Sequence, residues 1–254
     1  MSLEGKVAIV TGSSRGIGKG MALALAQAGA DVVVVGRTES SEKSRIPGTI
    51  HETVEEIKAL KAGKAIAVRC DVTKPDEVEA LMKQALGAFG RIDVLINNAG
   101  GSSTPSTIMD TPIYRWLNVM NLNINGVFLC CKMALPHMIK QQAGSIINVS
   151  SGAAVSNSPQ MAAYNTSKAA LERLSLVLAE EVRPHNISVV AYRPGRVRSQ
   201  GAEYVFAKDY DWTGWDDIYA CGPSTVWLAQ QTAKTFTGQV VDRGGFGKTW
   251  GSKG

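Results

Sequence analysis

Along most of this chain, short apolar runs alternate with longer segments whose apolar positions recur at helical spacing. The runs Lys6 to Val10, Asp31 to Val35, Ala65 to Cys70, Asp93 to Ile96, Ser145 to Val149, Ile187 to Tyr192 and Gly238 to Val241 predict strands. Between them, Lys19 to Ala28, Ile50 to Lys61, Pro75 to Phe89, Ile113 to Gln142, a segment running from Tyr164 to near Pro184, and Pro223 to Gln231 predict helices. Gly29 and Gly63 close two of these, and Pro75 opens one, where its missing N–H costs nothing. Strands that alternate with helices across short connections predict a doubly wound parallel sheet covered by helices on both faces. Crossovers in such a sheet are right-handed, and ligands sit at the C-terminal ends of its strands. No repeat or low-complexity linker divides the chain, so residues 1–254 are expected to form one domain.

Three stretches depart from this rhythm. Glu39 to Thr49 is a long polar loop containing Pro47-Gly48, and Ser102 to Pro112 is a second loop. Residues 196–217 are expected to be irregular and carry Tyr204, Phe206, Tyr210, Trp212 and Trp215. A loop of that length in a compact domain is usually a lid or a binding loop, and its aromatics argue against disorder. Within the long helical segment, Asn121, Asn123 and Asn125 fall close together. Asn is a poor residue for a helix interior, so a local bend is expected there.

The residues with chemical potential cluster at strand ends. After the first run comes Thr11-Gly-Ser-Ser-Arg-Gly-Ile-Gly18, a glycine-rich turn entering a helix. Its glycines permit a tight turn and close approach of backbone to ligand, and the helix N-terminus offers free N–H groups to a pyrophosphate. The second run ends in Gly36-Arg37-Thr38. An acidic residue here would hold the ribose 2′-hydroxyl of NAD, whereas an arginine accommodates the 2′-phosphate of NADP. Arg37, with Arg15 in the glycine turn, therefore favours NADP(H) over NAD(H). Ser150 and Ser151 end the fifth run, and Tyr164 and Lys168 lie four residues apart on one helix face. A hydroxyl, a phenol and an ammonium in one pocket could move protons.

Composition narrows the alternatives. Hydrophobic residues make up 44% and charged residues 19%, an ordinary globular balance. The apolar runs fall short of a membrane span and the first residues do not form a signal peptide, so a cytoplasmic enzyme with no membrane role is expected. Cys70, Cys130, Cys131 and Cys221 lack metal-ligand spacing, so no metal site is expected and reduced thiols are. The net charge of +5 raises nucleic acid as a partner, but the basic residues are dispersed and no nucleic-acid motif occurs.

With these residues in view, the chain resembles the short-chain dehydrogenase/reductase family in its common single-domain, Rossmann-fold form. The resemblance spans Leu3 to Gly245 and rests on Thr11-Gly-x-x-x-Gly-Ile-Gly18, Asp71-Val72, Asn97-Asn-Ala-Gly100, Ser151, Tyr164-x-x-x-Lys168 and Pro194-Gly195. It implies a catalytic set of Asn123, Ser151, Tyr164 and Lys168, with Asn121 and Ser150 as the competing choices. It implies cofactor contacts from Gly12, Ser14, Arg15, Gly16, Ile17, Gly18, Asp71, Val72, Asn98, Ala99, Gly100, Lys168, Pro194, Gly195, Arg196, Val197 and Ser199, with Tyr164 alongside. The implied reaction moves a hydride between nicotinamide and a carbonyl or alcohol, with Tyr164 as proton donor or acceptor, Lys168 favouring the phenolate, and Asn123 holding a water. A small-molecule substrate and a homodimer or homotetramer follow by the same resemblance. Two alternatives stand beside it: a 3-oxoacyl-carrier-protein reductase, and a non-catalytic NADP-binding sensor or scaffold. Trp116, Met161 and Trp250 are candidates for the substrate rim. Arg243 interrupts the family's usual Val-Asp-Gly-Gly, which bears on subunit packing.

Overall fold

A computed structural model describes residues 2–102 and 104–252, apart from the Lys43 side chain. Met1, Ser103, Lys253 and Gly254, which fall within the expected domain and its loops, lie outside the described residues.

Seven parallel strands form one sheet in the order β3-β2-β1-β4-β5-β6-β7. They are β1 (Val7–Thr11), β2 (Asp31–Gly36), β3 (Ala65–Arg69), β4 (Val94–Asn97), β5 (Gly144–Val149), β6 (Ile187–Arg193) and β7 (Gln239–Asp242). The helices are α1 (Gly16–Gln27), α2 (Ile50–Leu60), α3 (Pro75–Phe89), α4 (Ile113–Met120), α5 (Gly126–Gln141), α6 (Ala162–Val182), α7 (Gln200–Val205) and α8 (Gly222–Ala229). The strand order reverses at β1, where β2–β3 lie to one side and β4–β7 to the other, and this leaves a crevice at the C-terminal strand ends.

Pleating divides each central strand between two cores. Ala8, Val10, Val32 and Val34 join α1, α2 and α8 on one face. Val7, Ile9, Val33 and Val35 join α3, α5 and α6 on the other. Burial on both faces explains why these strands read as continuous apolar runs rather than alternating ones.

The expected architecture is observed, with local differences. The long helical segment is not uniform: α4 and α5 are joined by a π-helical turn, Asn121–Asn125, at the three asparagines. The 196–217 stretch is not wholly irregular, because Ser199 caps the short α7 through its hydroxyl. Val197 and Asp216 pair across the base of that loop. The segment Ile113–Gln141 is long and apolar enough to cross a bilayer by length and composition, unlike the shorter runs expected. Its Val127, Cys130, Cys131, Ala134 and Met138 are buried against the sheet, as in a core helix.

Candidate active site

The ends of β1 and β4 are joined through Thr11. Its hydroxyl donates to the Ile96 carbonyl at 3.2 Å and accepts from the backbone N–H groups of Asn98 and Ala99 at 3.0 Å. The Asn98 amide donates back to the carbonyls of Thr11 and Gly12, each at 3.0 Å. This close approach dictates two glycines. Gly12 has φ +66° and a Cβ there would lie 2.8 Å from the Ala99 Cα, while a Cβ on Gly18 would collide with the Asn98 amide and the Gly12 carbonyl. The turn thus needs glycine for its own packing as well as for a ligand. The Gly16 N–H, expected to be open to a phosphate, donates to the Gln200 carboxamide at 2.9 Å, which rests α7 on the turn. Ser14 is buried behind it and Ile17 packs on the α1 core.

Beyond β2 lies a cavity of about 690 Å³ lined by Arg15, Arg37, Arg45 and Arg69 together with Glu39, Ser40, Ser44 and Tyr204. Arg15 donates to the Thr38 hydroxyl at 2.9 Å and the Gly48 carbonyl at 2.7 Å. Burial lowers the pKa of this guanidinium against the pull of Glu52. Arg37 is largely exposed and lies 3.7 Å from Asp71. Burial raises the Asp71 pKa, but the Thr73 hydrogen bonds and Arg37 outweigh it, leaving the carboxyl below its ordinary value. Arg45 and Arg69 were not anticipated. Arg69 stands two residues before Asp71, on the same side of the strand end, a spacing that could have flagged it. Arg45 arrives only because the 39–49 loop folds over the cavity.

A second group of residues meets at the end of β5. Ser150 is fully engaged: its hydroxyl donates to Glu172 at 2.7 Å. Ser151 instead faces the Tyr164 phenol in a side-chain hydrogen bond and accepts from the Ala153 N–H at 3.2 Å. Burial raises the Tyr164 pKa above its ordinary value, and the Ser151 hydrogen bond opposes this. Lys168 is buried, donates to the Val149 carbonyl at 2.7 Å and lies 5.8 Å from the Tyr164 ring centre. Burial lowers its pKa to about 8, with Glu172 opposing. The expectation that Lys168 favours the phenolate is therefore met by a competing effect: desolvation of the phenol works against ionisation.

Asn123 is buried, whereas the Asn121 side chain accepts from the exposed Asn125 amide at 3.1 Å. The Asn123 amide pairs with both backbone groups of Gly101 at 2.9 Å and donates to Ser167 at 2.9 Å. It thereby fixes the 99–101 loop. A Cβ on Gly100 would meet the Asn123 oxygen at 3.1 Å and Lys168 Nζ at 3.6 Å, so Gly100 fits between the two side chains. Val72 packs against Gly126, at the first turn of α5.

The aromatics of the 196–217 loop form a cluster of their own. Phe206, Tyr210, Trp212 and Trp215 pack on one another with ring centres 4.3–5.9 Å apart. The loop thereby carries its own small core. Trp250 lies away from the rim, with Tyr192, Trp227, Phe236 and Phe246. Arg243 donates to the Pro194 carbonyl at 2.6 Å and pairs with Asp216, so it ties the lid base to the turn at Pro194-Gly195.

These features fit a dinucleotide. The glycine turn supplies N–H groups, the neighbouring cavity supplies guanidiniums, and the buried Arg15 Nε has no partner among the described residues.

Comparison with known proteins agrees. The family model for short chain dehydrogenase matches residues 6–209. A 3-oxoacyl-acyl-carrier-protein reductase of Synechocystis sp. is 39% identical over 207 residues, covering 82% of this chain and 80% of its own length. A 2-dehydro-3-deoxy-D-gluconate 5-dehydrogenase of Escherichia coli is 36% identical over 209 residues, covering 82% and 78%. Among solved structures, a short-chain type dehydrogenase/reductase from Mycobacterium marinum superposes with a TM-score of 0.83 at 33% identity, covering 95% of this chain and 94% of its own.

Proposed function

The chain belongs to the short-chain dehydrogenase family, an oxidoreductase of CH–OH and C=O groups that binds a nicotinamide cofactor, and on that premise we propose that it works with NADP(H) through Ser151, Tyr164, Lys168 and Asn123. The observation that carries the catalytic part is the meeting of the Ser151 hydroxyl, the Tyr164 phenol and the Lys168 ammonium at the end of β5. The four arginines around one cavity carry the NADP part.

When bound, the cofactor supplies or accepts the hydride at its nicotinamide ring. The chain does the rest. The turn of Gly12, Ser14, Arg15, Gly16, Ile17 and Gly18 would lie along the pyrophosphate, with the Gly16 N–H donating to Gln200 in its absence. Arg37, with Arg15, Arg45 and Arg69, would hold the 2′-phosphate, to which a guanidinium offers paired donors. Asp71, Val72, Asn98, Ala99 and Gly100 would line the adenosine and ribose path, and Pro194, Gly195, Val197 and Ser199 the nicotinamide side. Ser151 donates to the substrate oxygen where negative charge gathers. Tyr164 passes a proton to or from that oxygen. An unperturbed phenol has a pKa of about 10, so its ionisation near neutral pH needs on the order of 4 kcal/mol of differential stabilisation. Lys168 supplies positive charge toward it, and burial strengthens that charge's reach. Asn123 keeps Gly101, and with it the loop beside Lys168, in place.

Residues 1–254 are read as one domain, supported by a sheet that runs from Val7 to Asp242. A homo-oligomer is supported by the exposed Ile113, Tyr114, Leu117 and Phe128 on α4 and α5. The cytoplasm suits an enzyme of this kind. A second reading, reduction of a 3-oxoacyl carrier thioester, is favoured by the name of the Synechocystis relative, while the E. coli relative is named for a sugar acid.

The test is NADPH turnover on a panel of ketones, sugar-derived ketoacids and 3-oxoacyl thioesters, with wild type and Tyr164→Phe. Wild type should turn over at least one class. The variant should bind NADPH with unchanged Kd and lose roughly 100-fold or more in kcat. Near-normal kcat in the variant would sink the assignment, and a wild type inert on every class would favour the sensor reading.

A further inference from the structure

Glu172 stands one helical turn after Lys168 on α6 and is buried. Its carboxylate receives two elements at once. Arg193, at the end of β6, donates to it in a forked pair at 2.7 and 2.8 Å. Ser150, just past the end of β5, donates to it at 2.7 Å. Ser150 is also held by its own N–H, which donates to the Tyr192 carbonyl at 2.7 Å. The helix bearing Tyr164 and Lys168 is thus bonded directly to the strand ends bearing Ser151 and the Pro194 turn. A buried ion pair is poor value for stability alone, because desolvation consumes most of the attraction. Its position, rather than its stabilising effect, calls for a reason.

We propose that Glu172 and Arg193 are positioning residues for the reaction: their opposed charges together set the electrostatic field at Lys168 while holding α6 against β5 and β6. This rests on the role proposed above for Lys168. With both present, Arg193 offsets part of the Glu172 charge that reaches the ammonium one helical turn away. Removing either member leaves a bare charge of one sign beside it. The charged and titratable groups around the pair are Tyr164 and Lys168 on α6, Arg193 on β6, and Asp242 on β7, which lies 3.5 Å from Arg193 and is mostly exposed. The end of β5 contributes the Val149 carbonyl and, just past it, Ser150, neither of which titrates. Solvent screens Asp242 more than it screens the buried Glu172. The two charges nearest the helix turn therefore dominate. Burial already depresses the Lys168 ammonium, and Glu172 opposes that depression.

The experiment follows Lys168 itself and does not depend on turnover. The full chain is labelled with 13Cε-lysine, the Lys168 signal is assigned by its loss in Lys168→Met, and its titration is recorded in wild type, Glu172→Gln and Arg193→Gln. Glu172→Gln keeps the size of its side chain and one acceptor oxygen, and Arg193→Gln keeps a donor toward Glu172. Glu172→Gln leaves Arg193 positive and should lower the Lys168 midpoint by roughly one pH unit. Arg193→Gln leaves Glu172 negative and should raise it by a similar amount. A purely structural pair behaves differently: either variant loosens α6, lets water reach Lys168 and raises the midpoint in both. Midpoints that move in the same direction, or that both stay within about 0.3 units of wild type, overturn the proposal. The basic limb of kcat/KM should move with each midpoint. Opposite midpoint shifts in a chain inert on every substrate would sustain the charge pairing and sink the functional reading instead, so the two fail separately.

Discussion

A guanidinium at the end of β2 acts in company. Arg37 is largely exposed and its nearest carboxylate is Asp71, so alone it would be an ordinary surface residue. The cavity that it shares with Arg15, Arg45 and Arg69 changes its value, since several cations around one small space suit a phosphate dianion. Glu39 also lines the space and lies 3.9 Å from Arg69, which reduces the net charge without cancelling it. Arg37→Gln should raise the KM for NADPH about tenfold, the worth of one charge-assisted hydrogen bond, and leave that for NADH nearly unchanged. Steady-state kinetics with both cofactors reads this directly. Equal changes for the two would remove the case for NADP. At this scale the sequence was legible for Arg15 and Arg37, which sit at fixed places after the first two strands. It was not legible for Arg45, because a loop residue's destination depends on how the loop closes.

The π turn, Asn121–Asn125, is the element whose shape departs most from its pattern. Three asparagines within a helical stretch announced an irregularity, and the expected bend takes the form of a widened turn. Its product is Asn123, buried and paired with both backbone groups of Gly101. Those groups have no partner within a helix or strand, so the side chain satisfies them as a strand neighbour would. Asn123→Ala would leave them and the Ser167 hydroxyl short of partners. We expect a loss of about 1–3 kcal/mol in urea unfolding, together with a fall in kcat larger than that in cofactor affinity. A variant within about 0.5 kcal/mol of wild type would mean that water replaces the amide at little cost. α7 teaches the complementary lesson. Its Ser199 cap is a readable signal, but the Gln200 carboxamide on the Gly16 N–H joins residues far apart in the chain, and no local pattern could reveal it.

For the whole molecule, the exposed apolar side of α4 and α5 is the feature that the two cores leave over. Ile113 is 78% exposed, and Tyr114, Leu117 and Phe128 are about half exposed or more. α5 buries its other side against the sheet, so that helix carries apolar residues on both its buried and its exposed side. A second copy covering this face would remove it from water, and obligate interfaces are apolar in this way. Sedimentation velocity should find a dimer or larger assembly at micromolar concentration, and Leu117→Glu combined with Phe128→Glu should shift it to monomer. A monomeric wild type would sink the homo-oligomer reading.

Periodicity, glycine placement and turn residues along the chain determined the element order, the parallel sheet and which strand ends carry chemistry, because these depend on local propensity and on burial repeated along each segment. They also sufficed to mark Tyr164 and Lys168, whose spacing is a property of one helix. Tertiary structure supplies the reason that Ser151, the serine the family resemblance favours, is the one that faces the phenol, since Ser150 is drawn away by Glu172, which Arg193 also holds. It alone turned the lid aromatics onto each other and placed Arg243 at the lid's base. The reason is physical: a helix or strand is set by neighbours within a few residues, whereas the direction of a polar side chain is set by whichever partners folding brings within hydrogen-bonding distance, and those lie anywhere in the chain.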